Sequence, residues 1–186
     1  MDPIVPVTKV LLALNELQIP YMLVGSLSSN MYGEPRQTDD ADFVVELGNV
    51  PLTTLISRLG TEFRMETQLG FETITGSNRY HIHHLESAFL IELFLLTDDP
   101  HNQSRFARRR QILFADVPAA VQSVEDVIIQ KLRWFKRGNR TKDWEDAKNV
   151  IETQAALHTL DLAYIRHWTD QHQTRDIFEK LLSEAQ

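Results

Sequence analysis

The segment Tyr21-Met22-Leu23-Val24-Gly25-Ser26 is followed, after a short gap, by Arg36-Gln37-Thr38-Asp39-Asp40-Ala41-Asp42-Phe43-Val44-Val45. The first apolar run reads as a short buried strand that ends at Gly25-Ser26. There the missing β-carbon lets backbone amides approach an anion closely, and the Ser26 hydroxyl adds a contact. In a strand, side chains two apart share a face, so Asp40 and Asp42 project together while Ala41 and Phe43 turn to the core. Two carboxylates side by side repel by about one to several kcal/mol, a repulsion that a cation offsets. Hard oxygen ligands at this spacing suit magnesium or manganese. A small-residue turn before such a pair is suited to holding that ion against a nucleoside triphosphate. Ser28 to Gly33, between the two segments, is expected to form a short helix.

A third acid stands out further along. Phe89-Leu90-Ile91-Glu92-Leu93-Phe94-Leu95-Leu96 is otherwise an uninterrupted apolar run, typical of a central strand covered on both faces. Glu92 there is costly unless paired or metal-bound. Its readings are a functional carboxylate or a buried Glu satisfied by one Arg or by backbone donors.

At 186 residues the chain is expected to be one domain, or a domain with a helical appendage. No run reaches the length of a membrane span, and the opening Met1-Asp2-Pro3 lacks the basic region of a secretory signal. With no cysteine, disulfides and thiolate chemistry are excluded. The expectation is a soluble, cytoplasmic protein without a membrane partner.

The net charge of −7 argues against nucleic-acid binding by the whole surface. Yet residues 105–142 hold ten Lys or Arg against three acids, in two clusters: Arg105, Arg108, Arg109 and Arg110, then Lys131, Arg133, Lys136, Arg137, Arg140 and Lys142. Such runs are read either as solvated helix faces or as contacts to a polyanion, triphosphate or RNA. An RNA acceptor would place the arginines at 105, 108, 109 and 110 on its backbone.

The remaining elements follow from periodicity and punctuation. Val10, Leu11, Leu14 and Leu17 predict a helix from about Thr8 to Leu17 before Pro20. Asp42 to Leu47 reads as a strand, and Pro51 opens a helix that ends at Gly60. Short strands are expected from Glu62 to Leu96, with turns at Gly70, Gly76-Ser77-Asn78 and Glu86-Ser87. Asp98 to Asn102 reads as a loop and Gln111 to Phe114 as a short strand. Ser123 caps a helix reaching Lys136. Thr141 caps another through about Thr153, and two more begin near Asp161 and Thr174. His81 and His83 share a strand face; with no third and fourth ligand in view, a partly exposed face is the default over a zinc or substrate site. A tight turn at Glu86-Ser87 sets His81 across from Glu92.

The segment from Gly25-Ser26 through Arg36-x-Thr38-x-Asp40-x-Asp42 resembles the signature of the nucleotidyltransferase superfamily related to DNA polymerase beta. The likeness is to its small bacterial branch, which includes toxin-antitoxin, abortive-infection and antibiotic-modifying nucleotidyltransferases. It continues through Glu92, Ser123 to Leu132 and Lys142 to Ala147, covering residues 20–150. The resemblance implies an α/β (α+β) fold: a nucleotidyltransferase core with a mixed sheet and flanking helices over residues 1–118, and a helical portion packed on it over 119–186. It implies a three-carboxylate site in which Asp40 and Asp42 bind Mg2+ or Mn2+ and Glu92, where many relatives carry Asp, completes the site and helps activate the attacking hydroxyl. Gly25 and Ser26 would cradle the phosphates. Arg36 and Thr38 would steady the carboxylate strand or contact the nucleotide, and Lys131 would contact a phosphate. The implied reaction transfers a nucleoside monophosphate from a nucleoside triphosphate to a hydroxyl on RNA, protein or a small molecule, releasing pyrophosphate. The alternative is a noncatalytic module, or a toxin-antitoxin component that acts through a protein partner encoded nearby.

Overall fold

A computed structural model describes residues 4–157 and 159–185. Helix α1 (Ile4–Glu16) leads into strand β1 (Tyr21–Val24), helix α2 (Gly25–Ser29), strand β2 (Asp40–Val45) and helix α3 (Leu52–Leu59). Strands β3 (Phe63–Met65), β4 (Gly70–Glu72), β5 (Ser77–His84) and β6 (Phe89–Leu95) follow, then helix α4 (Pro100–Ala107) and the hairpin β7 (Arg110–Phe114) and β8 (Val117–Val121). The chain continues through helices α5 (Val124–Gly138), α6 (Thr141–Ala155), α7 (Leu162–Gln171) and α8 (Arg175–Glu184). This is a mixed α/β fold, as expected. All eight strands join one sheet of order β3-β5-β6-β2-β1-β8-β7, with β4 paired to β5.

The central ladder is mixed: β2 runs antiparallel to β1 and parallel to β6, and β1 runs parallel to β8. Strand alternation then divides the sheet. One face sends Leu23, Phe43, Ile91 and Leu93 against Leu11 and Leu14 of α1 and Leu55 of α3, all fully buried. The other face carries Met22, Val24, Val44 and Phe94, which pack under Phe106 of α4. Asp40, Asp42 and Glu92 belong to this second face by their period of two. Helices α5 to α8 build a separate buried cluster around Ile128, Leu132, Val150, Ile165 and Phe178.

Several expected boundaries move. Helix α1 begins at Ile4, earlier than the apolar pattern indicates. Helix α2 occupies Gly25–Ser29, so Gly25-Ser26 forms its first turn and the helix starts three residues before the expected Ser28 to Gly33 segment, overlapping it only at Ser28 and Ser29. Gly70 opens a strand, and Ser77 and Asn78 lie in β5, so the turn is drawn back to the residues just before them. The expected loop at Asp98 to Asn102 contains the start of α4, because Asp99 accepts a hydrogen bond from the Asn102 amide and Pro100 fills the first turn. The Ser123 cap forms as expected, accepting from the Asp126 amide, and the helix expected near Asp161 starts there with Asp161 accepting from the Tyr164 amide. Thr174 precedes α8 as its flanking residue without a side-chain cap. Arg140 takes the cap position before α6, which starts at Thr141. No helix among the described residues is long and apolar enough to cross a membrane.

Candidate active site

The sheet brings the three expected carboxylates together through strand register. Asp42 sits opposite Glu92 on the parallel β2–β6 pair and opposite Val24 on the antiparallel side, with Asp40 one pleat away. The next rung on the same face is Val44 with Phe94. Each acid enters from a central strand, so its position is set by backbone hydrogen bonds more than by loop geometry.

The backbone crosses directly over one of these acids. Gly25 has φ +66°, and a β-carbon there would lie 1.9 Å from Asp42 Oδ2. Only glycine takes this conformation and leaves that room. Ser26 follows, buried, and its hydroxyl accepts a 2.6 Å hydrogen bond from Arg36 Nη2. Arg36 in turn grips Asp146 of α6 through both carboxylate oxygens, at 2.8 and 2.9 Å. The paired Asp146 carboxylate raises the Arg36 pKa. Burial pushes Asp146 up, but Arg36 and Lys131 outweigh it and hold the group below its ordinary range. Arg36 thus ties the α2 turn to α6, whereas the expected role was to steady the carboxylate strand or contact the nucleotide. Thr38 donates a 2.6 Å hydrogen bond to Asp40 Oδ1 and orients it.

Glu92 is doubly held. Its Oε1 lies 3.0 Å from Arg79 Nη1 and 2.9 Å from His81 Nε2. His81 faces Glu92 across the β5–β6 hairpin, the register expected from a turn near Ser87, and its Nδ1 stands 3.0 Å from Glu66. His83 contacts the same Glu66 at 2.6 Å. The two imidazoles therefore share a face but are occupied by carboxylates. Among the described residues no group of three or more His, Asp or Glu side chains stands ready to hold a metal ion.

Lys131, on α5, lines the cleft with its Nζ 2.7 Å from Asp146 and 3.2 Å from Asp143. Arg140 closes the same group, 3.1 Å from Asp143 and stacked over the Trp134 ring at 5.2 Å. A cleft open to solvent lies between the acidic face of the sheet and α5, with about 930 Å³ of free space when the solvent at its mouth is included. Its walls include Gly25, Ser26, Asp40, Asp42, Glu92 and Lys131. Of the eight expected site residues, these six line the cleft, whereas Arg36 and Thr38 act behind it.

Charge in the cleft is out of balance at its centre. Burial and the neighbouring Asp40 and Glu92 carboxylates push the Asp42 pKa well above its ordinary value, and Lys131 offsets this only in part. A site that strains against its own negative charge is chemically suited to a divalent cation. Asp40 and Asp42 fit such an ion as oxygen donors. Glu92 has only Oε2 left to offer, its Oε1 being engaged by Arg79 and His81, and the three carboxylates do not converge as a preformed ligand set.

Among solved structures the chain is similar to the antibiotic-resistance factor ANT(2'')-Ia in complex with adenylyl-2''-tobramycin, at 14% identity, TM-score 0.62, over 92% of this chain and 97% of that one. It is similar to an antigenic nucleotidyltransferase-like protein from Paracoccidioides brasiliensis at 16% identity, TM-score 0.60, covering 98% and 92%. JHP933 from Helicobacter pylori matches at 15% identity and TM-score 0.53, over 96% of this chain and 81% of that one. The chain has the nucleotidyltransferase fold. No protein-family model and no curated protein matches it.

Within the nucleotidyltransferase fold the arginine cluster is placed differently from the RNA-contacting arrangement set out above. Arg105 is 6% exposed and bonds to Asn102 and Gln122. Burial lowers its pKa to about 10. Arg108 lies near Glu125 and Asp161 and stacks 3.8 Å over the Tyr164 ring. Arg109 stacks on Phe106 and donates to its carbonyl. Three of the four arginines are engaged within the fold: Arg109 by nearby Phe106, and Arg105 and Arg108 in part by distant Gln122, Glu125, Asp161 and Tyr164, which local charge counting does not reach. Arg79 and Trp134 are cleft residues that sequence reading did not single out, and Arg105, counted there with the arginine run, lines the cleft.

Proposed function

We propose that this chain transfers a nucleoside monophosphate from a nucleoside triphosphate to a hydroxyl acceptor. In the step, the acceptor oxygen bonds to the α-phosphorus, the bond from that phosphorus to the bridging oxygen breaks, and pyrophosphate leaves with its electron pair. The acceptor proton goes to Glu92. Magnesium or manganese held by Asp40, Asp42 and Glu92 Oε2 would neutralise the triphosphate and lower the pKa of the attacking hydroxyl. Gly25 and Ser26 would offer backbone and hydroxyl donors to the phosphates. Lys131 would add a cation, drawing on a charge now shared between Asp143 and Asp146. Arg79 and His81 fix Glu92 from behind and leave one oxygen directed to chemistry.

The observation that carries this reading is the placement of Asp42 opposite Glu92, with the Asp42 pKa raised by its carboxylate neighbours. The ANT(2'')-Ia structure, which holds an adenylylated acceptor, supports the same reaction class. The test is calorimetry with each nucleoside triphosphate, with and without magnesium, followed by an assay for pyrophosphate release. The parent should bind a triphosphate only with the metal, and the Asp40→Asn, Asp42→Asn double variant should stay folded and lose that dependence. Unchanged metal-dependent affinity in the double variant overturns the assignment.

A further inference from the structure

The cleft that we read as the transfer site has a charge pattern that bears on its acceptor. Five cationic side chains line it, Arg79, Arg105, Lys131, Arg140 and Lys142, against the four carboxylates Asp40, Asp42, Glu92 and Asp143. The lining itself therefore carries one more cation than carboxylates. Glu92 is paired with Arg79 and Asp143 with Lys131 and Arg140, and on the transfer reading Asp40 and Asp42 face the metal. No carboxylate is left to meet a positively charged acceptor.

Arg105 adds a specific observation. It is buried and lines the cleft, yet among the described residues it has no carboxylate within 4.0 Å. Its Nε donates to Asn102 Oδ1 at 3.0 Å and its Nη1 to Gln122 Oε1 at 3.4 Å, which leaves Nη2 unengaged. A buried guanidinium whose direct partners are neutral amides, with Asp126 and Asp99 acting on it only from beyond contact range, is incompletely compensated and favours an anionic partner. Across the cleft on α5, the side-chain oxygen of Gln130 is also buried, lines the cleft and has no hydrogen-bond donor. It calls for a ligand that donates a hydrogen bond.

From these observations, and resting on the transfer reading above, we infer that the acceptor is a small hydroxylated anion, anchored through its phosphate or carboxylate by Arg105 and through a hydroxyl by Gln130. The cation excess of the lining disfavours polycationic acceptors such as aminoglycosides. A buried anchor also fits a small molecule better than an RNA backbone, which lies along exposed cations.

The test titrates the full chain with inorganic phosphate, glucose 6-phosphate, glucose and tobramycin. Each titration is run alone and with saturating magnesium and a non-hydrolysable triphosphate analogue, and followed by calorimetry and by the Arg105 Nε–H resonance. Phosphate and glucose 6-phosphate should bind and move that resonance, with glucose and tobramycin at least tenfold weaker. Arg105→Gln should weaken both anions tenfold or more. Gln130→Leu, which removes no hydrogen bond from the free protein, should weaken glucose 6-phosphate and leave inorganic phosphate unchanged. If Arg105→Gln fails to fold, the parent resonance and the Gln130→Leu comparison decide. Tobramycin binding as tightly as the phosphate ester, no anion binding, or loss of anion binding once the triphosphate analogue is present would each overturn the inference. Failure of the analogue itself to bind would instead strike the transfer reading, and the titrations without it would still report on Arg105.

Discussion

Gly25 and Asp42 are in such close contact that a single added methyl group at residue 25 would fall 1.9 Å from the Asp42 carboxylate oxygen. The turn that opens α2 is therefore fitted around the acid. Gly25→Ala should cost about 1–2 kcal/mol through its left-handed backbone alone, and should also displace Asp42. Differential scanning calorimetry checks the first effect and metal-dependent nucleotide binding the second. A variant that binds as the parent does would show that the contact has no bearing on the site.

Glu92 should act in chemistry more than in binding. Glu92→Gln keeps the carbonyl oxygen that Arg79 and His81 hold, but removes the charge that would accept the acceptor's proton. Turnover should fall by about 10²–10⁴-fold while nucleotide affinity changes little. Equal turnover in parent and variant would make this acid structural.

Asp42 should also leave a mark on stability against pH. Its folded pKa is raised above the ordinary 3.8 by burial and by Asp40 and Glu92. The folded state therefore holds a proton that the unfolded chain has released, and stability falls as pH rises from 3.8 through the folded value. In metal-free protein, Asp42→Asn should raise the melting temperature at neutral pH by a few degrees and flatten this dependence. Magnesium should stabilise the parent and not the variant.

The helical portion should be acid-sensitive for a different reason. His172 contacts His101 Nδ1 at 2.8 Å, and the opposite nitrogen of His101 lies 3.2 Å from buried Asp126. Burial, then Arg133 and His101, lower the His172 pKa to about 3, with Arg137 adding to and Asp99 opposing the effect. Burial likewise lowers His101. A depressed imidazole stays neutral in the fold while the unfolded chain protonates, so stability is full above pH 6.5 and is lost as pH falls toward 3. His172→Asn should remove up to roughly 1.4 kcal/mol per pH unit of that slope, measured by urea unfolding between pH 4 and 7.

Much of this was readable from local pattern. The alternation around Asp40 and Asp42, and the lone acid at Glu92, follow from a period of two and the cost of a buried charge. The Asp161 cap on α7 follows from side-chain chemistry within four residues. What stayed hidden depended on distant partners or weak propensity. Val117-Pro118-Ala119-Ala120-Val121 pairs as β8 despite a proline and two alanines, because the sheet and α1 bury it. Arg105 and Arg108 read as surface charge because their neighbours Gln122, Glu125 and Asp161 lie far off in sequence. The bond from Arg36 to Asp146 joins residues 110 apart, a separation no spacing rule reaches.

The direct parallel pairing of β2 with β6 has a consequence for how such a protein can change. All of residues 46–88 lies between the two strands in sequence, yet the distance from Asp42 to Glu92 is fixed by one rung of the ladder. Residues 70–77 fold out from that rung as β4 and the turn into β5, and Thr75 and Ser77 reach the rim of the cleft. Insertions or deletions in that turn can reshape the entrance while the spacing of the acids stays constant. On the transfer reading, the spacing of the acids is a gauge set by the sheet and inherited independently of the turn that shapes the rim.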